Sequence, residues 1–404
     1  MQASTTDILI KGLYMKIRDV VTTTVKGLWG TDYATPEDGV AVIKTNNMSY
    51  EGVIDYSDIC YRNIEVEKAQ KNFLKHGDIL AEKSGGTKTH TVGYVSYFDG
   101  QSDKFVCNNF ILVIRPNVQK IKSKFLFYQM RYMYENGIFA DCYNRTTGIQ
   151  NLQVNSYLSK DIKVFSEAKQ ESVVSLLDSI IFEIDNLKKR VFSLGELVKS
   201  RFIEMFGEPL SESYTTPLSQ ACIFNPKKSE KKDWTDETLI SFIPMPLVSE
   251  HGEINTETLK TYKEVKTGFT YFRENDVLFA KITPCMENGK GAIAQNLKNG
   301  IGFGSTEFHV LRPIEGVSNP YWIYYLTAID SFRIMAEKKM TGSAGQKRVP
   351  ISFFENMKVN LPPIELQNEF AEFVKLIDKS KFIVQQQIKD LQELLDSKMD
   401  EYFR

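Results

Sequence analysis

Along residues 173–198, apolar side chains recur in alternating steps of four and three: Val173, Leu177, Ile180, Ile184, Leu187, Val191, Leu194 and Val198. A second run does the same at Phe370, Val374, Ile377, Val384, Ile388, Leu391 and Leu395, with Lys381 as the polar intruder on its seam. A 3.5-residue repeat keeps one stripe facing a partner helix, so both runs predict coiled-coil helices of about 35 residues, each about 50 Å long. Each seam is the obvious partner of the other. Antiparallel pairing would let the chain run globule, helix out, globule, helix back, with a globule at each end of a rod. Parallel pairing would need a return connection that the chain lacks. The plainer alternative docks each helix on its own globule.

Elsewhere the periods shorten. Alternating or apolar runs bounded by turn residues predict strands at Val40–Lys44, Asp78–Glu82, Val92–Phe98 and Phe105–Ile114. Arg115-Pro116 closes the last, since proline cannot donate to a ladder. Ser123–Glu135 has helical spacing and stops at Asn136-Gly137. The order then returns, with strands near Asp276–Lys281, Gly291–Gln295 and Phe308–Leu311 and a helix near Asn319–Glu337.

These are two copies of one unit. Leu194–Phe206 (LGELVKSRFIEMF) matches Leu391–Phe403 (LQELLDSKMDEYF) without a gap at a separation of 197 (391 − 194). Thr147–Leu152 answers Ala344–Val349, and Asn109–Pro116 answers Thr306–Pro313, at that same separation. Gly77–Leu80 answers Asn275–Leu278 at 198 (275 − 77). Val42-Ile43 with Gly52–Ile54 answers Phe242-Ile243 with Gly252–Ile254 at 200 (242 − 42). Drifting separations mark diverged copies with small loop insertions, and copies of this size make a tandem duplication, not a solenoid. The expected fold class is therefore α+β: two tandem mixed α/β globules, at 1–165 and 209–361. Long helices at 166–208 and 362–404 separate them and pair as an antiparallel coiled coil with pseudo-twofold symmetry.

Composition adjusts this picture little. A chain of 404 residues exceeds one core and fits two domains. Its 42% apolar and 25% charged content are those of an ordinary globular protein. No apolar run approaches the ~20 residues of a membrane span and the N-terminus lacks a secretory layout, so a cytoplasmic protein that engages no membrane is expected. Cys60, Cys107, Cys142, Cys222 and Cys285 are scattered without a Cys-x-x-Cys pair, which fits reduced thiols and not a zinc site. His76, His90, His251 and His309 have no metal spacing and no adjacent nucleophile. The net charge of −1 argues against a strong autonomous nucleic-acid binder. Either DNA is not the ligand, or a partner supplies much of the phosphate-binding charge.

Two globules alternating with two similar heptad helices resemble, over the whole chain, the specificity (S) subunit of type I restriction-modification systems. The most specific marks are Leu361–Gln367 (LPPIELQ) opening the second helix and Arg201–Gly207 (RFIEMFG) closing the first. The loops Gly148–Leu152 (GIQNL) and Gly345–Val349 (GQKRV) add to them. In one departure, Val164–Gln170 (VFSEAKQ) opens the first helix without the family's proline pair. The resemblance implies a chain with no catalysis and no cofactor of its own. Each globule would be a target-recognition domain reading one half of a bipartite double-stranded DNA target. The helices would hold the halves apart and dock two methyltransferase subunits, with restriction and translocase subunits joining through the complex. S-adenosylmethionine is then expected in the partner methyltransferase. Partners that share the phosphate contacts would account for the near-neutral charge.

If the copies read different half-sites, segments common to both are scaffold or backbone contact, and divergent polar loops at matching places read bases. Loop 82–91 (EKSGGTKTHT) matches 280–290 (AKITPCMENGK), where Lys83 and Lys281 coincide while most of the rest differs. Lysine can bind phosphate or guanine, Ser and Thr can bond either groove edge, and glycine lets backbone approach the duplex. The DNA-binding candidates here are Lys83, Ser84, Lys88, Thr89 and His90 in the first copy and Lys281, Thr283, Asn288 and Lys290 in the second. A solvated hairpin loop is the alternative. Loop 144–151 (NRTTGIQN) faces 341–348 (TGSAGQKR). Arg145, Thr146, Gln150 and Asn151, with Ser343, Gln346, Lys347 and Arg348, suit phosphate clamping with some base readout, or a structural turn. Lys227 and Lys228 open the basic run 227–232, a third candidate or a solvated loop; the matching region 22–30 carries only Lys26.

Two lookalikes fail. Asn319-Pro-Tyr-Trp322 lacks the second proline of the amino-methyltransferase motif and sits where Asn-Pro caps a helix. Gly300-Ile-Gly-Phe-Gly304 leads into a strand, not the helix of a nucleotide-binding loop. An adenine methyltransferase with a fused recognition domain would need a catalytic domain for which no segment has room. A specificity chain of a related bipartite system that cuts both sides of its target, and a two-headed coiled-coil protein adaptor, remain as alternatives.

Overall fold

The computed structural model describes residues 13–87, 90–146, 149–209, 211, 213–228, 234–343 and 345–404, the side chains of Arg145 and Thr146 excepted. It divides into two compact units: unit 1 runs up to Asn186 and adds Gln387–Arg404, and unit 2 is Leu187–Gln386. Each unit thus holds one globule and part of both long helices.

Unit 1 centres on a four-stranded antiparallel sheet in the order Val21–Lys26, Ile111–Pro116, Ile79–Glu82, Val95–Tyr97. Successive strand residues face opposite sides, and here both sides are cores. Ile79, Ala81, Leu112 and Ile114 pack with helix Ser123–Glu135, while Leu80, Ile111 and Val113 pack with Ile43 and Leu74. The second side is closed by a small sheet in the order Cys60–Arg62, Val40–Ile43, Phe105–Cys107, whose last two strands are parallel. Unit 2 repeats the arrangement with Cys222–Phe224, Phe308–Pro313, Val277–Ala280 and Gly291–Ile293. Its second sheet likewise pairs Leu239–Ile243 in parallel with Ile301–Gly304.

One ion pair recurs at the same place in both central sheets. Arg115 donates to Asp78 through Nε (2.8 Å) and Nη2 (2.7 Å), and Arg312 does so to Asp276 through the same atoms, both at 2.7 Å. The carboxylate also closes the preceding turn, with Asp78 Oδ2 accepting from Lys75 N and Asp276 Oδ2 from Arg273 N, each at 2.8 Å.

Two expected elements are broken. Phe105–Ile114 is two strands in different sheets, Phe105–Cys107 and Ile111–Pro116. Asn108 makes the corner, donating its backbone N–H to Ile43 O (2.9 Å) and accepting Phe110 N on its side chain (3.1 Å). The helix expected over 319–337 is two, Pro320–Ala328 and Asp330–Lys338, because Ile329 is extended (ψ 142). Asn319 caps the first of them, accepting Tyr321 N at 2.9 Å. Gly302 and Gly304 serve packing: a Cβ on Gly302 would lie 2.0 Å from the Phe272 ring, and one on Gly304 would lie 2.1 Å from Ile243 O.

Glu167–Phe206 and Ile364–Phe403 are helices of 40 residues each. In unit 1, Val173, Leu177, Ile180 and Ile184 share a core with Leu395, Met399 and Phe403. The start of the first helix lies beside the end of the second there, with Lys169 Nζ 4.7 Å from the centre of the Tyr402 ring. In unit 2, Val198, Phe202 and Phe206 share a core with Phe370 and Val374, and Arg201 approaches Glu369 at 3.6 Å. The helical segments therefore run antiparallel within each unit. Lys381 meets a gap in the seam, its Nζ 3.9 Å from where a Cβ on Gly195 would sit. Each helix also grips its globule by a buried glutamine. Gln170 accepts Lys122 N (2.8 Å) and donates to Phe165 O (2.8 Å); Gln367 accepts Asn319 N (2.8 Å) and donates to Val317 O (3.0 Å) and Pro362 O (2.8 Å). The first helix keeps this entry without the proline pair. Among the described residues, no helix is long and apolar enough to cross a membrane.

Removing one partner of a buried ion pair strands the other charge. Arg312→Ala is expected to cost about 3–5 kcal/mol. Arg115→Ala is expected to cost less, because the Arg115 side chain keeps 21% exposure against 2% for Arg312. Urea denaturation of both variants checks the order, and equal losses would count against burial as its cause.

Candidate nucleic-acid interface

In both units the central strand 79–82 or 277–280 runs out into one candidate loop, and the second candidate loop is paired against it. In unit 1, Ser84–Gly85 adds to the hairpin of Tyr143–Thr146 and Ile149–Leu152, with Gly85 opposite Gln150 and Ser84 opposite Asn151. Leu152 N donates to Lys83 O at 2.8 Å. In unit 2, Val349 N donates to Lys281 O at 2.9 Å, Thr283 N donates to Lys347 O at 3.0 Å, and Arg348 bridges both Ile282 and Thr341. The backbone register is the same, and the side chains differ.

Unit 1 joins its loops through amides. Gln150 is buried and its side chain is consumed internally, donating to Thr87 O (2.8 Å) and accepting Val92 N (3.2 Å). It therefore staples the two loops, and its side chain does not face a ligand. Ser84 Oγ donates to Asn151 Oδ1 at 2.8 Å. His90 is exposed, its N–H donates to Thr87 Oγ1 (3.0 Å), and its ring stacks on Tyr50. Beneath them lies the buried Glu82, whose carboxyl is raised by burial, with the Gly86 N–H acting in the opposite sense. Lys88, Thr89, Thr147-Gly148, Ala344 and the basic-run residues Lys231-Lys232 lie outside the described residues, as do the side chains of Arg145 and Thr146.

Unit 2 uses charge. Arg348 donates to Glu307 through Nε (2.9 Å) and Nη2 (2.8 Å), and to Gln346 O through Nη1 (3.0 Å). These bonds hold the Glu307 carboxyl below its usual range. Lys281 lies beside this pair, its amine lowered by burial and pulled back up by Glu307. Arg333 is buried and donates to four carbonyls: Thr327 O (2.7 Å), Met286 O (3.1 Å), Gly289 O (3.2 Å) and Lys290 O (3.4 Å). It clamps the turn that presents Asn288 and Lys290, and the helix break at Ile329 precedes it. Thr283 Oγ1 turns inward to Glu287 Oε1 (2.8 Å). Ser343, Gln346 and Lys347 are exposed at the tip of 341–348. Lys227 and Lys228 are exposed elsewhere, Lys228 donating to Lys266 O.

The sequence reading missed Glu307, His309 and Arg333. Their signal is weak, since His309 and Arg333 lie in elements whose period already explains them and Glu307 sits in the turn before strand Phe308–Pro313. His309 is 5% exposed and ties the second loop to the sheet: Nε2 lies 2.8 Å from Val349 O, and Asn225 Nδ2 donates to Nδ1 at 3.2 Å. Burial brings its pKa down to about 4, so the ring is neutral at pH 7.

The comparisons with known proteins agree on one family. The model of the type I restriction modification DNA specificity domain matches residues 14–191 and again 219–393. This chain belongs to that family. The specificity subunits of the Escherichia coli type I restriction enzymes EcoAI and EcoEI are 43% identical over 169 residues and 44% over 170. Those stretches are 41% and 42% of this chain and span 28% of each relative's own length. The S subunit of a type I restriction-modification system from M. genitalium superposes with a TM-score of 0.51 at 13% identity, covering 97% of this chain and 96% of its own. That likeness speaks for the fold alone. The two family matches fall on the two sequence repeats.

His309 gives the interface of unit 2 a pH dependence. The unfolded chain binds a proton near pH 6.5 that the folded unit refuses until about pH 4. Stability is therefore complete above pH 6.5 and falls on acidification through that window, by on the order of 2–3 kcal/mol. His309→Gln is expected to flatten the slope of melting temperature against pH between 4.5 and 7. An unchanged slope would assign the effect to other groups.

Proposed function

We propose that this chain is a DNA-sequence specificity subunit without chemistry of its own, each unit reading one half of a bipartite double-stranded target. The observation that carries this reading is the shared register of Lys83 O with Leu152 N and Lys281 O with Val349 N, which sets two unlike polar loops side by side on like scaffolds. A common frame with divergent side chains suits two readers of different sequences. In this reading the first target-recognition domain is 1–165 and the second 209–361, and the helices between and after them are spacers.

Lys83, Ser84, Lys88, Thr89, His90 and Asn151 contact bases or adjacent backbone in one half-site. Lys281, Asn288 and Lys290 do so in the other, where Thr283, bonded inward to Glu287, positions the loop. Arg145 and Thr146 in one unit, and Ser343, Gln346, Lys347 and Arg348 in the other, serve as phosphate contacts, and Lys227 and Lys228, exposed elsewhere in unit 2, are further candidates for that role. Gln150 positions the loops. Two methyltransferase subunits holding S-adenosylmethionine dock on the long helices, and restriction and translocase subunits join through the complex, in the cytoplasm. Exposed apolar side chains on the helices support such docking: Phe182 and Leu394 in unit 1, and Phe192, Leu376 and Phe382 in unit 2. Partners that add phosphate contacts would account for a net charge of −1.

Salt titrations of binding by the assembled complex, on targets altered in one half at a time, test the division of roles. Lys83→Ala is expected to weaken one half-site only, by roughly 1–3 kcal/mol if it makes a bidentate base contact. Lys347→Ala is expected to lower affinity evenly across sequences and to flatten its salt dependence, since phosphate contacts release counterions without reading bases. Loop changes in unit 1 that altered both halves equally would overturn the reading. So would methyl transfer from S-adenosylmethionine by the purified chain alone.

A further inference from the structure

Residues 45–55 and 245–255 fold alike. Each opens with a 3-10 turn, Thr45–Asn47 or Met245–Leu247, and closes a bridge, Met48 with Ile54 or Val248 with Ile254. The internal bonds repeat: Ser49 N to Val53 O and Ser249 N to Glu253 O, both 2.9 Å, then Asp55 N to Asn47 O (2.7 Å) and Asn255 N to Leu247 O (2.9 Å). Gly52 and Gly252 have φ of +87° and +90°, which favour glycine. Each also seats the hairpin on a helix, for a Cβ would lie 2.4 Å from the Phe127 ring or from the Tyr324 hydroxyl. The residues common to both hairpins, Ser49/Ser249, Gly52/Gly252 and Ile54/Ile254, all belong to this frame.

The tips differ. One presents Tyr50-Glu51, the other Glu250-His251, and all four residues are exposed. Each tip reaches the candidate loop of its own unit. In unit 1 the Tyr50 ring stacks on His90 at 4.1 Å and 21°, and Arg131 Nη1 fixes the tip by donating to Glu51 O at 2.9 Å. In unit 2, Glu250 O lies 3.4 Å from where a Cβ on Gly289 would sit, and a cleft of about 590 Å³ separates the hairpin from Lys290. A shared frame, unlike side chains and contact with the neighbouring loop are the features that single out loops 82–91 and 280–290. The side chains suit groove edges: a tyrosine offers a flat face and a hydroxyl, a glutamate accepts from a cytosine amino group, and a histidine can donate or accept.

We propose that the hairpin tips are a second base-reading segment in each unit, Tyr50 acting with His90 in one and Glu250 and His251 with Lys290 in the other. This inference rests on the reading of the chain as a DNA-specificity subunit. The test uses the chain assembled with its methyltransferase subunits and libraries of duplexes randomised in one half at a time. Tyr50→Ala is expected to change base preference by about tenfold at a position in one half only. Glu250→Gln with His251→Ala is expected to do so in the other half only. Melting temperatures serve as the control for folding, because the altered side chains are exposed and the frame is untouched. Preferences that stay unchanged, or methylation that falls equally on every target, while the wild-type complex keeps its specificity, would make the hairpins scaffold and overturn this inference alone. A wild-type complex without sequence preference would remove the DNA-recognition reading, and this inference with it.

Discussion

A carboxylate and a guanidinium buried between neighbouring strands organise each unit. Asp78 with Arg115, and Asp276 with Arg312, meet through two bonds apiece, while the same carboxylate closes the turn before its strand. Such a pair adds little net stability over a well-packed apolar substitute, since desolvation offsets the attraction. Its effect is geometric. A carboxylate bonded to both the neighbouring strand and the preceding turn leaves strands 79–82 and 277–280 one register. A slip of one residue would reverse which side chains face each core. The loops that emerge from these strands are thereby aimed by the scaffold.

On that common aim the units build different surfaces. Unit 1 joins its loops with an amide, Gln150, and leaves His90 exposed and stacked on Tyr50. Unit 2 joins them with the Arg348–Glu307 pair, a neutral His309 and the carbonyl-bound Arg333. The side chains that join the loops thus differ between the units, whereas the backbone bonds between the loops are the same.

Some of the positive charge is spent inside the protein, and in two cases without a carboxylate to balance it. Arg62 lies between Trp29 and Tyr33 and donates to Trp29 O and Thr31 O. Arg333 satisfies carbonyls, and Arg115 and Arg312 hold carboxylates. The near-neutral net charge therefore overstates the cationic surface left for phosphates, which strengthens the case for partners that supply it.

The duplication, the long helices and the family were legible in the sequence, because a period of 3.5 and a fixed separation of about 197 survive divergence. The repeated Asp and Arg-Pro positions marked the scaffold before their pairing was known. Two elements differ from expectation where local pattern is silent: the corner at Asn108 is tied to distant Ile43, and past the break at Ile329 the chain places Arg333 against the distant 286–290 turn. Tertiary structure also decided which polar residues face outward. Gln150 and Asn151 are neighbours in one loop, yet one is buried and the other exposed, because a strand sends adjacent side chains to opposite faces and only the assembled sheet shows which face is covered. The sequence alone thus determined the repeat, the helices and the chemistry on offer; the packed sheets decided which of those groups were spent on holding the loops and which were left to meet a ligand.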